Sequence, residues 1–221
     1  MLQSVRNFFR AVPTPLAGLA LGIASLGIGL EKSLPLHNFA QVFGALTSMT
    51  LILLLAGKFA LNPRLLLEEL RHPVLGSILP TTSMALMLQS KSLSILDARA
   101  AQWLWLFAVA LHLCLLLAFV AFRARQFSLH HMLPSWFVPF VGISVAAMTV
   151  PGPAYYQLAY GLMVFGMVNY ATLLPVMLYR LIFSREIEDA SKPTIAVLAA
   201  PASLSLVAYL SLEPTPSLLL C

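Results

Sequence analysis

The sequence predicts an all-α polytopic membrane protein assembled from transmembrane helical hairpins. Three observations point there. Of the 221 residues, 60% are hydrophobic and only 10% charged, with a mean hydropathy of +0.89; an ordinary soluble surface needs more charge than that. Four prolines, Pro13, Pro73, Pro134 and Pro193, recur at intervals of about 60 residues, and each opens an apolar run. A second apolar run follows each of the first three, and runs of this length cross a hydrocarbon core of about 30 Å at about 1.5 Å per helical residue.

Seven spans follow within a single transmembrane domain, 1–221, at about 12–30, 38–57, 73–90, 100–122, 134–150, 154–179 and 193–211. Span one follows Arg6 and Arg10 and could imitate a signal peptide; with six spans behind it, it reads as a retained helix, and Gly18, Gly22, Gly27 and Gly29 keep it slim. Span two is bulky, as in Leu51, Ile52, Leu53, Leu54 and Leu55. Span three carries the interior proline Pro80 among Ser77, Thr81, Thr82 and Ser83. Span four is bulky again from Leu113 to Phe119. Trp103 and Trp105 stand near its start, where aromatic belts occur, and His112 lies at mid-depth. Span five repeats the kinked pattern with Pro139, Ser144 and Thr149, and places Trp136 as an anchor. Span six opens on Tyr155 and Tyr156 and holds Gln157 and Asn169, polar groups suited to helix packing. Span seven has Pro201 with Ser203 and Ser205.

Odd and even spans thus differ in kind. A mid-helix proline such as Pro80, Pro139 or Pro201 frees a backbone carbonyl, which lipid cannot satisfy but hydroxyls or a wet cavity can. The expected arrangement has kinked, hydroxyl-bearing odd helices inside and bulky even helices facing lipid. Small residues also allow plain close packing, so each span taken alone has that second reading. Lys and Arg fall ten to three on alternate sides. Arg6, Arg10, Lys58, Arg64, Arg71, Arg123, Arg125, Arg180, Arg185 and Lys192 lie on one side, and Lys32, Lys91 and Arg99 on the other. The rule that basic loops stay inside then places the N-terminus in the cytoplasm. The same bias explains the net charge of +5 without a nucleic-acid partner; the partner is the lipid bilayer.

The chemistry-bearing residues are few. No Asp, Glu, Lys or Arg lies in the middle of a span, which argues against a proton-coupled mechanism. Gly142-Ile143-Ser144-Val145-Ala146 narrowly misses a serine-nucleophile pattern, but the one intramembrane base is His112, better placed for a hydrogen-bonded structural role, so no enzyme is read here. His130 and His131 lack a third ligand, Cys114 and Cys221 form no framework, and no phosphate-binding or dinucleotide glycine motif occurs; no metal or cofactor is expected.

Arg71-His72-Pro73-Val74-Leu75-Gly76-Ser77 leading to Pro80-Thr81-Thr82-Ser83-Met84 resembles the third helix of the tellurite-resistance/dicarboxylate transporter family, which includes bacterial TehA and the plant guard-cell slow anion channels. Pro13-Thr14-Pro15-Leu16-Ala17-Gly18, Leu133-Pro134-Ser135-Trp136-Phe137-Val138-Pro139, Gly166-Met167-Val168-Asn169 with Pro175-Val176, and Leu198-Ala199-Ala200-Pro201-Ala202 with Ala208-Tyr209-Leu210-Ser211 agree in order. The resemblance implies ten helices in five hairpins, with five proline-kinked inner helices around a central pore, homotrimers, and passage of small anions across a plasma (bacterial inner) membrane. About seven of the ten helices precede Cys221, so the sequence reads as C-terminally truncated. The family's pore-plugging phenylalanine, on the ninth helix, has no counterpart here.

The function expected is permeation of small anions of the dicarboxylate, sulfite, tellurite or halide and nitrate class through a neutral, hydroxyl-lined pore. A proton-coupled dicarboxylate transporter and a nonfunctional structural fragment are the alternatives. The candidate pore-lining residues are Ser77 and Thr81, four apart on one helical face, with Ser144 and Ser205 beside the kinks at Pro139 and Pro201. Hydroxyls there would donate to a partly dehydrated anion without a charge that traps it. The plain alternative is that they bond back to their own helix carbonyls.

Overall fold

The computed structural model describes residues 2–125, 132–183 and 189–213, and no strand occurs among them. His130, His131, Arg185 and Cys221 lie outside the described residues. The protein is an all-α polytopic membrane protein. Among the described residues, five segments are long and apolar enough to cross a bilayer: Leu16–Ser33 (α2), Phe39–Leu61 (α3), Ala98–Ala124 (α7), Pro153–Phe183 (containing α10, Tyr156–Phe183) and Lys192–Leu212 (containing α11, Ala200–Leu212).

Two further apolar segments are broken. The third span divides into α5 (Pro73–Ile78) and α6 (Thr81–Leu93) around Leu79 and Pro80. The fifth consists of a 3-10 turn at Pro134–Trp136, α8 (Phe137–Val141), a 3-10 turn at Gly142–Ser144 and α9 (Val145–Met148). Proline supplies no N–H and its ring crowds the preceding turn; Pro80 stands in the third-span break itself, whereas Pro139 lies within α8, three residues before the Gly142–Ser144 turn.

Helix pairs form where the side chains permit. α2 and α3 meet almost backbone to backbone: a Cβ on Gly27 would lie 2.6 Å from Ala40 O, and one on Gly44 would lie 3.0 Å from Ile23 O. Small residues at such a crossing let van der Waals contact hold two helices in lipid. Asp97 caps α7, its carboxylate accepting from the Arg99 and Ala100 N–H groups at 2.8 and 3.2 Å. At the other end of the α5–α6 span, His72 Nδ1 accepts from the Val74 and Leu75 N–H groups at the start of α5.

Two short helices fill what the sequence presents as tail and loop. α1 (Leu2–Arg10) rests Phe9 on Gly57 of α3, and Arg6 Nε donates to Asn62 Oδ1 at 2.9 Å. α4 (Pro63–Arg71) occupies the connection between spans two and three. Lys58, read as a loop residue, stands in the last turn of α3 and is buried.

The broken third and fifth spans form the centre. Every residue from Ser83 to Ser90 is buried, as is nearly every residue from Met132 to Thr149. The even helices α3, α7 and α10 turn Phe43, Leu46, Leu53, Phe107, Leu117, Ile182 and Phe183 outward, as lipid contact requires. The inner–outer division is nevertheless not simply odd and even. α7 is the most buried of the long helices, because its Trp105, His112 and Phe119 face packs on both broken spans. By contrast, Gly18, Gly22 and Gly29 of α2 have nothing within 4 Å of an added Cβ.

Two tryptophans also differ from the sequence reading. Trp103 is exposed, as a belt residue should be, but Trp105 is fully buried and donates from Nε1 to Ala146 O and Thr149 Oγ1, both at 3.2 Å. Trp136 is buried edge-on against Phe119 at 5.2 Å. Both lie on helix faces turned to the centre, which position near a span end does not reveal. Asn169, expected to join helices, donates instead to Phe165 O of its own helix at 2.8 Å.

Candidate functional site

The two breaks lie side by side, with α7 packed against both and α11 against the Gly142–Ser144 turn and α9. Pro80, Pro139 and Pro201 are all buried. Around them the hydroxyls fall into two groups. In span three, Ser77, Thr81 and Ser83 are engaged while Thr82 Oγ1 is buried without a partner among the described residues: Ser77 Oγ donates to Val74 O at 2.8 Å and shares a 2.7 Å hydrogen bond with Ser135 Oγ of span five. Thr81 donates to Ile78 O at 2.7 Å. The break between α5 and α6 falls between these two residues.

Ser144 and Ser205 behave differently. Both are buried, 0% and 7% exposed, and neither Oγ has a hydrogen-bond partner among the described residues. A buried hydroxyl without a partner costs roughly 1–3 kcal/mol of desolvation, so such groups are uncommon and call for a cause. Ser144 Oγ is directed at α10, where Gly166 makes room for it: a Cβ on Gly166 would come within 2.1 Å of that oxygen.

His112 joins the two breaks. Its Nδ1 lies 2.9 Å from Ser83 Oγ, in the first turn of α6, and its Nε2 donates to Pro139 O at 3.0 Å. Ser83 Oγ is also 2.7 Å from Pro80 O. Gly142 lets the ring approach, since a Cβ there would sit 3.4 Å from His112 Cε1 and 2.5 Å from Met84 Sδ. Ser83 was visible in the sequence as one hydroxyl among several; its pairing with His112, 29 positions away, was not.

Charge is confined to the ends of this bundle. At one end Lys58 Nζ lies 2.6 Å from Glu69 Oε1 and 2.9 Å from Thr14 Oγ1, and Thr14 donates to Glu69 Oε2 at 2.6 Å, all buried. Thr14 opens span one, Lys58 closes span two and Glu69 lies on α4, so the network ties three elements that no sequence motif links. At the opposite end Lys91 donates to Met148 O at 2.9 Å, joining the ends of spans three and five. The central region therefore offers neutral donors and backbone dipoles, with cations only at its ends.

The family described as voltage-dependent anion channel, SLAC1, matches residues 12–218 of this chain. A protein of Methanocaldococcus jannaschii, named as an uncharacterized transporter, is 25% identical over 184 residues, covering 77% of this chain and 54% of the relative. The chain thus spans about half the length of the curated relative it matches.

Proposed function

The chain belongs to the SLAC1 family of voltage-dependent anion channels, and we propose that it contributes a passive pathway for small anions across a plasma or bacterial inner membrane. The observation that carries this reading is the pair of buried, unpartnered hydroxyls, Ser144 and Ser205, beside proline-kinked helices with no charge at mid-depth. Such hydroxyls can donate to a passing anion and release it, because no fixed cation holds it there. Ser77 and Thr81 complete the proposed lining, although their present hydrogen bonds to Val74 O and Ile78 O make them the weaker donors. Among candidate anions we place dicarboxylates, sulfite, tellurite, halides and nitrate, and from the resemblance we propose that three copies assemble.

Removing an unpartnered hydroxyl sacrifices no hydrogen bond. Ser144→Ala and Ser205→Ala should therefore melt at or slightly above the parent temperature, while anion efflux from proteoliposomes falls by roughly threefold or more, the worth of about one weak hydrogen bond. Unchanged efflux in both variants would show that these oxygens do not meet the anion. The proposed topology has the N-terminus and the connection around Arg64 in the cytoplasm, and Lys91 outside. Single cysteines placed in a background without native thiols should then react with an impermeant maleimide added outside at Lys91 and not at Arg64. The reverse labelling would invert the orientation.

A further inference from the structure

We infer that His112 is the positioning residue of the pathway, a bridge through which the lipid-side helix α7 sets the angle between the two inner-helix breaks. The inference deepens the permeation reading and rests on it for its consequence, but its geometry stands separately. His112 is fully buried, and both ring nitrogens are used. A carbonyl can only accept, so Nε2 carries the proton donated to Pro139 O, and in the neutral ring Nδ1 is then the acceptor.

Ser83 supplies the matching donor. Ser83 Oγ lies 2.9 Å from Nδ1 and 2.7 Å from Pro80 O, two acceptors that must share its one hydrogen. The imidazole thus connects a hydroxyl at the third-span kink to a carbonyl at the fifth-span kink, and polarisation runs through the ring from one hydrogen bond to the other. Backbone around a helix break has fewer internal hydrogen bonds to fix it, so an outside partner has unusual leverage there. The four named pore hydroxyls sit on these same broken segments or on α11, which packs against one of them. A change in the kink angle therefore moves the donors an anion meets.

The test uses the full chain in lipid. His112→Leu keeps volume and loses both arms, His112→Gln retains a donor that reaches Pro139 O, and Ser83→Ala removes only the other arm. Two readouts are taken: the nitrate-to-chloride permeability ratio in proteoliposomes, which does not depend on how much protein folds, and amide hydrogen exchange. His112→Leu and Ser83→Ala should each shift the ratio about twofold or more, with His112→Gln nearer the parent than His112→Leu. Exchange at 81–84 and 142–145 should quicken by about tenfold in His112→Leu while α2 and α3 stay protected, the pattern of local rather than global opening. Ratios equal to the parent in folded His112→Leu and Ser83→Ala overturn the proposal, as does exchange that quickens evenly along the chain. Where His112→Leu fails to accumulate, Ser83→Ala decides by the same two measures. If the parent itself passes no anion, the permeation reading falls, and the exchange pattern alone then confirms or rejects the bridge.

Discussion

Glu69→Ala should lower the stability of the folded protein by about 3–5 kcal/mol, the cost of leaving one partner of a buried ion pair without the other. The side chains of Lys58 and Glu69 are only 5% and 9% exposed, and their contact is 2.6 Å. With the carboxylate gone, the ammonium keeps Thr14 Oγ1 as its remaining polar contact among those described, and Thr14 loses the oxygen to which its hydroxyl donates. Lys58→Met should cost a similar amount, since it strands the carboxylate with one hydroxyl. The joint variant, Lys58→Met with Glu69→Leu, should recover most of the loss, because two apolar groups of similar volume need no counter-charge. A double-mutant cycle of melting in detergent measures this. Single variants within about 0.5 kcal/mol of the parent would place the pair in the weak class of solvent-exposed bridges.

That network also shows why some of the fold was hidden in the sequence. Seven apolar runs and the proline period are long-range signals that survive any tertiary arrangement, since lipid demands them of every spanning helix. The break at Pro80 was equally plain, because proline acts on its own backbone, whereas the fifth span turns three residues after Pro139, at Gly142–Ser144. Lys58 was not plain. A lysine just past an apolar run looks like a loop residue unless its partner is known, and Glu69 sits eleven positions on, within a nine-residue helix too short to announce itself by periodicity. Trp105 failed for a related reason. Aromatic residues near a span end serve belts and cores alike, and only the direction of the helix face separates fully buried Trp105 from exposed Trp103.

The candidate site divides in the same way. Proline kinks and nearby hydroxyls could be named from spacing alone, and His112 stood out as the one titratable group at mid-depth. What each group meets depends on helices far away in sequence. Ser77 reaches Ser135 across 58 positions, and His112 reaches Pro139 across 27. The unpartnered state of Ser144 and Ser205 is a property of the packed molecule, with no counterpart in a one-dimensional pattern.

Gly166→Ala should be strongly disruptive, and Ser144→Ala should rescue it. The added Cβ would lie 2.1 Å from Ser144 Oγ, a separation that atoms do not tolerate, so the hydroxyl must swing to another rotamer within its fully buried site, or α10 or the Gly142–Ser144 turn must move. Overpacking of this kind costs about 1–3 kcal/mol, and here the displaced turn belongs to the proposed pathway. With Ser144 reduced to alanine, the nearest remaining contacts of the new methyl are Val141 O at 3.3 Å and the residue 144 Cβ at 3.5 Å, tight but tolerable with a slight shift. The double variant Ser144→Ala, Gly166→Ala should therefore melt within about 1 kcal/mol of the parent, a strong non-additivity of the sort contacting residues show. Its anion efflux should match that of Ser144→Ala alone, since packing returns while the hydroxyl does not. If Gly166→Ala melts like the parent, or the double variant is no more stable than Gly166→Ala alone, then α10 does not press on Ser144 as described, and the unpartnered hydroxyl would have to face elsewhere.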